Sequence, residues 1–306
     1  MLRRRDTLVV PILPLTLLMS ASPAIADSSS RDLASYYERH MALVDGVAWC
    51  WEGRGAPRAM RRGVVQVGVG KAVYLALMAD GALIAWRDAP EDAVTLMAGV
   101  ARFAAGDSGW FAIDRAATLW HGQGHASPAP ARVAEGVVDA CIGDSADYFV
   151  TRDGQLWVKG LAHRGQYGDG RLAATPGFVA TAGDAVAVRA HTGHAIHLRR
   201  DGVVMGTGGN RFGPLSSHGL GDKADRWGPI FRDAVAIATG SRHSAAIRAD
   251  GSLWAWGEGF SIEPTRLMER VAAVAAGDTA TIARTSDGAL WQWDGGGRAP
   301  RRLALR

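Results

Sequence analysis

The 306-residue chain is 48% hydrophobic and 21% charged, with 39 glycines and 11 tryptophans, which excludes a disordered chain and suffices for a large core. Its formal charge of +4 is small against 30 acidic residues, and its only lysines are Lys71, Lys159 and Lys223. The remaining basic residues are arginines scattered along the chain, not massed on one segment, so no nucleic-acid partner is expected.

At the N-terminus, Arg3-Arg4-Arg5 precede an apolar stretch over Leu8 to Met19 and a small-residue ending, Ala24-Ile25-Ala26. This order predicts a secretory signal peptide over 1–26, cleaved before Asp27, and hence an exported protein, periplasmic or secreted. The apolar stretch is short and holds Pro11 and Pro14, so membrane insertion is not expected. Cleavage would remove three arginines and one aspartate and leave a charge of +2. Cys50 and Cys141 are the only cysteines, too few for a disulfide framework.

Residues 27–306 read as one repeat domain. Asp250-Gly251-Ser252-Leu253-Trp254-Ala255-Trp256-Gly257 sets a frame that recurs from Asp45, Asp80, Asp153, Asp201 and Asp287, with a degenerate copy at Ala116-Ala117-Thr118-Leu119-Trp120. Ten residues before a frame lies a glycine (Gly70, Gly106, Gly143, Gly240, Gly277), replaced in the fifth copy by His191. Apolar runs flank each glycine. The unit is therefore strand, turn, strand, Asp-Gly turn, strand, with both residues of the Asp-Gly turn expected at positive φ. Nine tryptophans occupy the fifth or seventh frame position, which share one face of a strand. Leu33, Tyr36, Tyr37, Met41 and Val44 would also suit an amphipathic helix, but 40–44 is read as strand by its parallel with Arg242-His243-Ser244-Ala245-Ala246. Sheets this small bury both faces only when arranged radially, so the predicted fold is an all-β, seven-bladed β-propeller.

The units resemble repeats of the regulator of chromosome condensation family, most closely over Val235–Ile247 running into Asp250–Gly257. The resemblance spans about 33–306 and implies a seven-bladed propeller. The family's additional glycine-rich loop has counterparts in Gly165-Gln166-Tyr167-Gly168-Asp169-Gly170 and Asn210-Arg211-Phe212-Gly213-Pro214-Leu215. Pro300-x-Arg302-Leu303 repeats the strand opening seen at Pro264 and Pro130 with no unit after it, so a C-terminal strand closing the first blade is expected. Cys50 and Cys141 then fall on blades 1 and 4, too far apart to pair.

No catalytic constellation emerges. His191, His194 and His197 suggest a metal cluster, but residues three apart on a strand face opposite ways. The frame aspartates are turn formers, and no phosphate loop or nucleophile elbow occurs. No cofactor is expected. The reading is an exported, non-enzymatic binding module, expected to be monomeric and to contact a protein or glycan through one propeller face. An exported hydrolase or lyase near the channel, or a protein inhibitor of an extracellular enzyme, is the alternative. The turns after the marker glycines should share one end of the ring, which nominates Lys71, Asp107, Asp144, His194, Arg242 and Asp278 for binding, with Trp110 as aromatic anchor. Trp110 and Arg242 are expected to contribute most.

Overall fold

A computed structural model describes residues 29–124, 129–218, 221–295 and 299–305. The predicted signal peptide over 1–26 lies outside them. Seven four-stranded antiparallel sheets follow one another along the chain at 33–62, 64–97, 100–134, 137–182, 185–231, 234–268 and 271–303. Within each, consecutive strands pair in sequence order from inner to outer, so these are the seven expected blades. Helix among the described residues is limited to one turn at Ser29–Asp32 and a 3-10 turn at Pro90–Asp92. Leu33–Tyr36 and Arg39–Val44 are strands, as their repeat parallel predicts.

The core is distributed as apolar layers between neighbouring blades. One layer joins Leu75, Leu77 and Leu83 of blade 2 to Val100, Phe103 and Trp110 of blade 3. Another joins Ala245 and Leu253 of blade 6 to Val274 and Trp293 of blade 7. Strands covered on both faces read as nearly continuous apolar runs, which is why Val137–Ile142 and Val271–Ala276 show little alternation. The tryptophans at the seventh frame position, Trp51, Trp86, Trp256 and Trp293, are fully buried, while those at the fifth keep an exposed edge.

Two local expectations need correction. Only Asp45-Gly46 places both turn residues at positive φ, 51° and 71°. Elsewhere the loop is one residue longer. Met78 N–H donates to Ala82 O and Gly81 N–H to Met78 O, both at 2.9 Å, so only the glycine needs the left-handed conformation. The aspartate instead accepts the backbone N–H two residues on, as Asp250 does from Ser252 at 2.8 Å.

The C-terminal strand does not close blade 1. Arg301–Leu303 pairs with Leu290–Trp293 inside blade 7, and blade 1 has its own outer strand at Arg58–Arg62. Each blade is complete, because the inner strand of every unit precedes its marker turn. The ring closes by side-chain contacts between blades 7 and 1. Trp51 Nε1 donates to Gln292 Oε1 at 3.0 Å, and Gln292 Nε2 donates to Gly53 O at 2.9 Å. Arg284 pairs with Asp32, and Arg54 with Asp294 at 3.1 Å. Leu33, Ala42 and Trp51 pack on Ala273, Ile282 and Leu303 beneath these bonds.

Candidate functional site

Strand direction alternates within a blade, so the turn from inner to second strand and the loop from third to outer strand emerge at the same end of the ring. The Asp-Gly turns emerge at the other. Backbone bonds tie each loop to its turn: Leu161 N–H to Ser145 O, Gly209 N–H to Gly193 O and Glu258 N–H to Arg242 O. The longest loops, after the third strands of blades 4 and 5, thus crowd one end of the channel.

Tyr36 of blade 1 reaches across that channel mouth. Its hydroxyl donates to Asp144 Oδ1 on blade 4 at 2.6 Å, and its ring stacks on His191 of blade 5 at 5.2 Å. Thr192 Oγ1 donates to Asp144 Oδ2 at 3.0 Å and lies 3.2 Å from Ser241 Oγ on blade 6. Burial raises the Tyr36 phenol, and its bond to Asp144 raises it further. Burial lowers His191 despite nearby Asp144, Asp278 and Asp107, so its imidazole is neutral at pH 7. Below the mouth, the inner strands line a cavity of about 160 Å³ that includes Gln66, Arg102, Asp139 and Arg189. Arg189 donates to Asp139 at 2.8 Å, and that carboxylate also accepts Val188 N–H.

This cluster is not a hydrolytic triad. Ser241 Oγ and the Asp144 carboxylate both approach Nδ1 of His191, at 3.3 and 3.8 Å. A relay needs base and orienting contacts on opposite ring nitrogens. Burial raises the Cys50 and Cys141 thiols to about 12, which leaves both as unreactive core residues. Among the described residues no three histidine, cysteine or acidic side chains converge as metal ligands. His194 and His197 are both buried but separate. His194 Nε2 meets Ser244 Oγ at 3.1 Å, and His197 packs edge-on against Trp227.

The structure places all seven nominated residues at the expected end, but only five of them reach its surface. Lys71 and Asp107 form an ion pair across blades 2 and 3 at 2.9 Å. Asp144 is engaged by Tyr36 and Thr192. Arg242 pairs with Glu258 at 3.0 Å and lies over the Phe212 ring. Asp278 N–H approaches Tyr37 O at 3.4 Å. Trp110 and His194 are not surface residues: each is 2% exposed. Trp110 pairs in register with Gly122, which holds the seventh frame position of blade 3 where other blades carry tryptophan. A Cβ at Gly122 would lie 2.0 Å from the indole, so Trp110 fills the place of the missing tryptophan from the adjacent strand. His194 is buried because its repeat position, shared with His243, bonds to the next blade: His243 reaches Thr281 Oγ1 of blade 7 at 2.8 Å. His40 does not share that position, since it pairs in register with Trp51 as Ser244 does with Trp256.

Sequence reasoning missed Tyr36 and Tyr37, because blade 1 has no marker glycine. Tyr37 sits at φ 50° in the equivalent turn and is 45% exposed. It also missed a groove of about 680 Å³ beside the channel mouth, lined by Tyr37, Arg164, Arg211, Phe212, Lys223 and Arg242 among others. Two of these lie in the glycine-rich loop of blade 5.

Residues 234–261, the inner to third strands of blade 6, match the regulator of chromosome condensation (RCC1) repeat. Blade 6 is similar to an RCC1 repeat. In solved structures, yeast RCC1 (Prp20) bound to Kap60 is similar over 97% of this chain and 87% of its own, with 16% identity and a TM-score of 0.73. Prp20p of Saccharomyces cerevisiae, described with its binding properties to Gsp1p and histones, covers 80% of each chain at 17% identity and a TM-score of 0.68. Human WBSCR16 covers 84% of this chain and 86% of its own at 15% identity and a TM-score of 0.68. At these identities the likeness is one of fold. No curated protein sequence is significantly similar to the chain. The RCC1-like ring thus extends well beyond the single matching repeat. No helix among the described residues is long and apolar enough to cross a membrane.

Proposed function

We propose that the chain is an exported, non-enzymatic module that binds a protein through the end of the ring carrying the marker turns and the long loops. One observation carries this reading: exposed Tyr37 and Phe212 stand among arginines on the one end where the loops of all blades converge. Aromatic and arginine side chains dominate binding energy at protein interfaces, and loops on a rigid ring can vary without disturbing the core. The structurally similar Prp20 supports a protein partner, since its structures are described with Kap60, Gsp1p and histones. Export rests on the basic, apolar and small-residue order of 1–26.

The test is site-specific photo-crosslinking in the native compartment. A photoreactive residue at exposed Ser108 or Thr279, in the marker turns, should capture a discrete protein. The same residue at Asp153 or Asp287, in the opposite turns, should not. Capture from the Asp-Gly end alone would move the interface, and substrate turnover abolished by a single acidic or histidine substitution would replace binding with catalysis.

A further inference from the structure

We infer that the groove between the long loop of blade 5 and the turn of blade 6 takes an acidic segment of a protein partner. This rests on the binding-module reading and names the chemistry of what is bound. Arg164, Arg211, Lys223 and Arg242 line the groove together with Asp222 and Asp278, leaving net positive charge. Among the described residues, neither Arg164 nor Arg211 has a carboxylate within ion-pair distance, whereas Arg39, Arg54 and Arg242 at this end are paired with Glu52, Asp294 and Glu258. Arg164 is laid over the backbone of the blade 5 turn, where a Cβ at Gly193 would come within 2.9 Å of its Nη1. The glycine leaves room for the guanidinium to lie at the groove wall. Lys223 Nζ reaches only His163 O, at 3.5 Å. Planar guanidinium forks match carboxylates in two-point contacts, so unpaired arginines select them over diffuse negative charge.

The aromatic residues narrow the class further. Phe212 is 38% exposed, but the Arg242 guanidinium stands 4.5 Å from its ring centroid and that of Arg211 at 5.7 Å. A ring covered by cations offers little open face on which a sugar or a base could stack. Asp222 and Asp278, lining the same groove, would repel a continuous run of phosphates or sulfates. They suit a polypeptide, whose carboxylates are spaced and whose backbone N–H groups can meet them. Tyr37 at the inner end supplies an apolar contact for a side chain between the acids.

The experiment measures binding of a fluorescent glutamate-rich peptide to the full chain by anisotropy at low ionic strength. Arg164→Glu with Arg211→Glu should weaken binding by about tenfold or more, as expected for close charge pairs. Arg58→Glu with Arg62→Glu, on the outer strand of blade 1, makes the same change in net charge and should leave binding near wild type. All four arginines are exposed, so melting temperatures should stay close to wild type. Equal loss in both double variants, or no binding by wild type, would overturn the proposal. So would tighter binding of a heparin oligosaccharide or a single-stranded oligonucleotide that depends on Arg164 and Arg211. If the peptide does not bind but Ser108 and Thr279 still crosslink a partner, the face stands and the groove assignment falls.

Discussion

Trp110 enters blade 3 opposite Gly122, and its indole occupies the volume that a frame tryptophan fills in other blades. Its packing partners are Leu75, Leu83 and Phe103, so it joins blades 2 and 3 and does not face a partner. Trp110→Ala should therefore cost stability, about 3–5 kcal/mol for a large buried aromatic with a cavity left behind. Equilibrium denaturation checks this. A loss under about 1 kcal/mol would mean the site collapses around the deletion. His191 makes the converse point. In the place of a marker glycine it puts an imidazole against Tyr36, and the two rings stack at the channel mouth. Nothing in the repeat pattern announces that contact, because Tyr36 and His191 lie in blades 1 and 5.

The blade is the unit in which turn chemistry is decided. Five of the seven turns between second and third strands place glycine in the left-handed conformation after an aspartate with ordinary φ. Blade 3 breaks the frame, and Ala117 takes that conformation at φ 63°. Asp114 compensates by accepting N–H bonds from Ala116 and Thr118, both at 2.9 Å, and Trp120 Nε1 at 2.9 Å. Since a Cβ at this φ is strained, Ala117→Gly should raise stability by about 1 kcal/mol, net of the added freedom of the unfolded chain. A thermal melt measures it, and a lower midpoint would show that the aspartate bonds already relieve the strain. Outer strands are the other variable element. Short and exposed, Thr265–Met268 and Arg301–Leu303 carry charged residues that guard the sheet edge.

Across the whole ring, closure and histidine burial set stability. Trp51, Gln292 and Gly53 bond across the seam between blades 7 and 1, where no strand crosses over. Burial pushes His40 and His243 down to about 4 and His194 and His197 down to about 3, from 6.5. A histidine held neutral in the folded state contributes fully above pH 6.5. That contribution is lost as pH falls from 6.5 towards the folded value, because the unfolded chain then binds the proton. At pH 5 the loss is about 2 kcal/mol for each histidine. Asp147, raised to about 6 by burial, works in the opposite direction over the same range. The net effect should be a marked fall in melting temperature between pH 7.5 and pH 5, while Asp153, Asp250 and Asp287, held below the usual carboxylate range by hydrogen bonds to their own turns, stay ionised across that window. An unchanged midpoint would mean the histidines reach solvent before the ring opens.

Sequence alone determined the number of blades, their inner three strands and the end to which the marker turns belong, but not the outer strand Arg58–Arg62 of blade 1. Each follows from a period: apolar runs, tryptophans at the fifth and seventh frame positions, and a glycine ten residues before five of the seven frames. Such features are local and recur along the chain, so the fold is legible without distances. It did not determine which residues beside the turns face solvent: Trp110 and His194 open the second strands immediately after exposed turn residues, yet both are buried. Their burial depends on Gly122 on an adjacent strand and Ser244 on the next blade. Ring closure and the groove were likewise decided only by tertiary structure. The seam joins residues more than two hundred apart, and the groove collects Tyr37, Arg164, Arg211 and Arg242 from four parts of the chain. A period locates each blade, but the chemistry between blades belongs to the residues that break it.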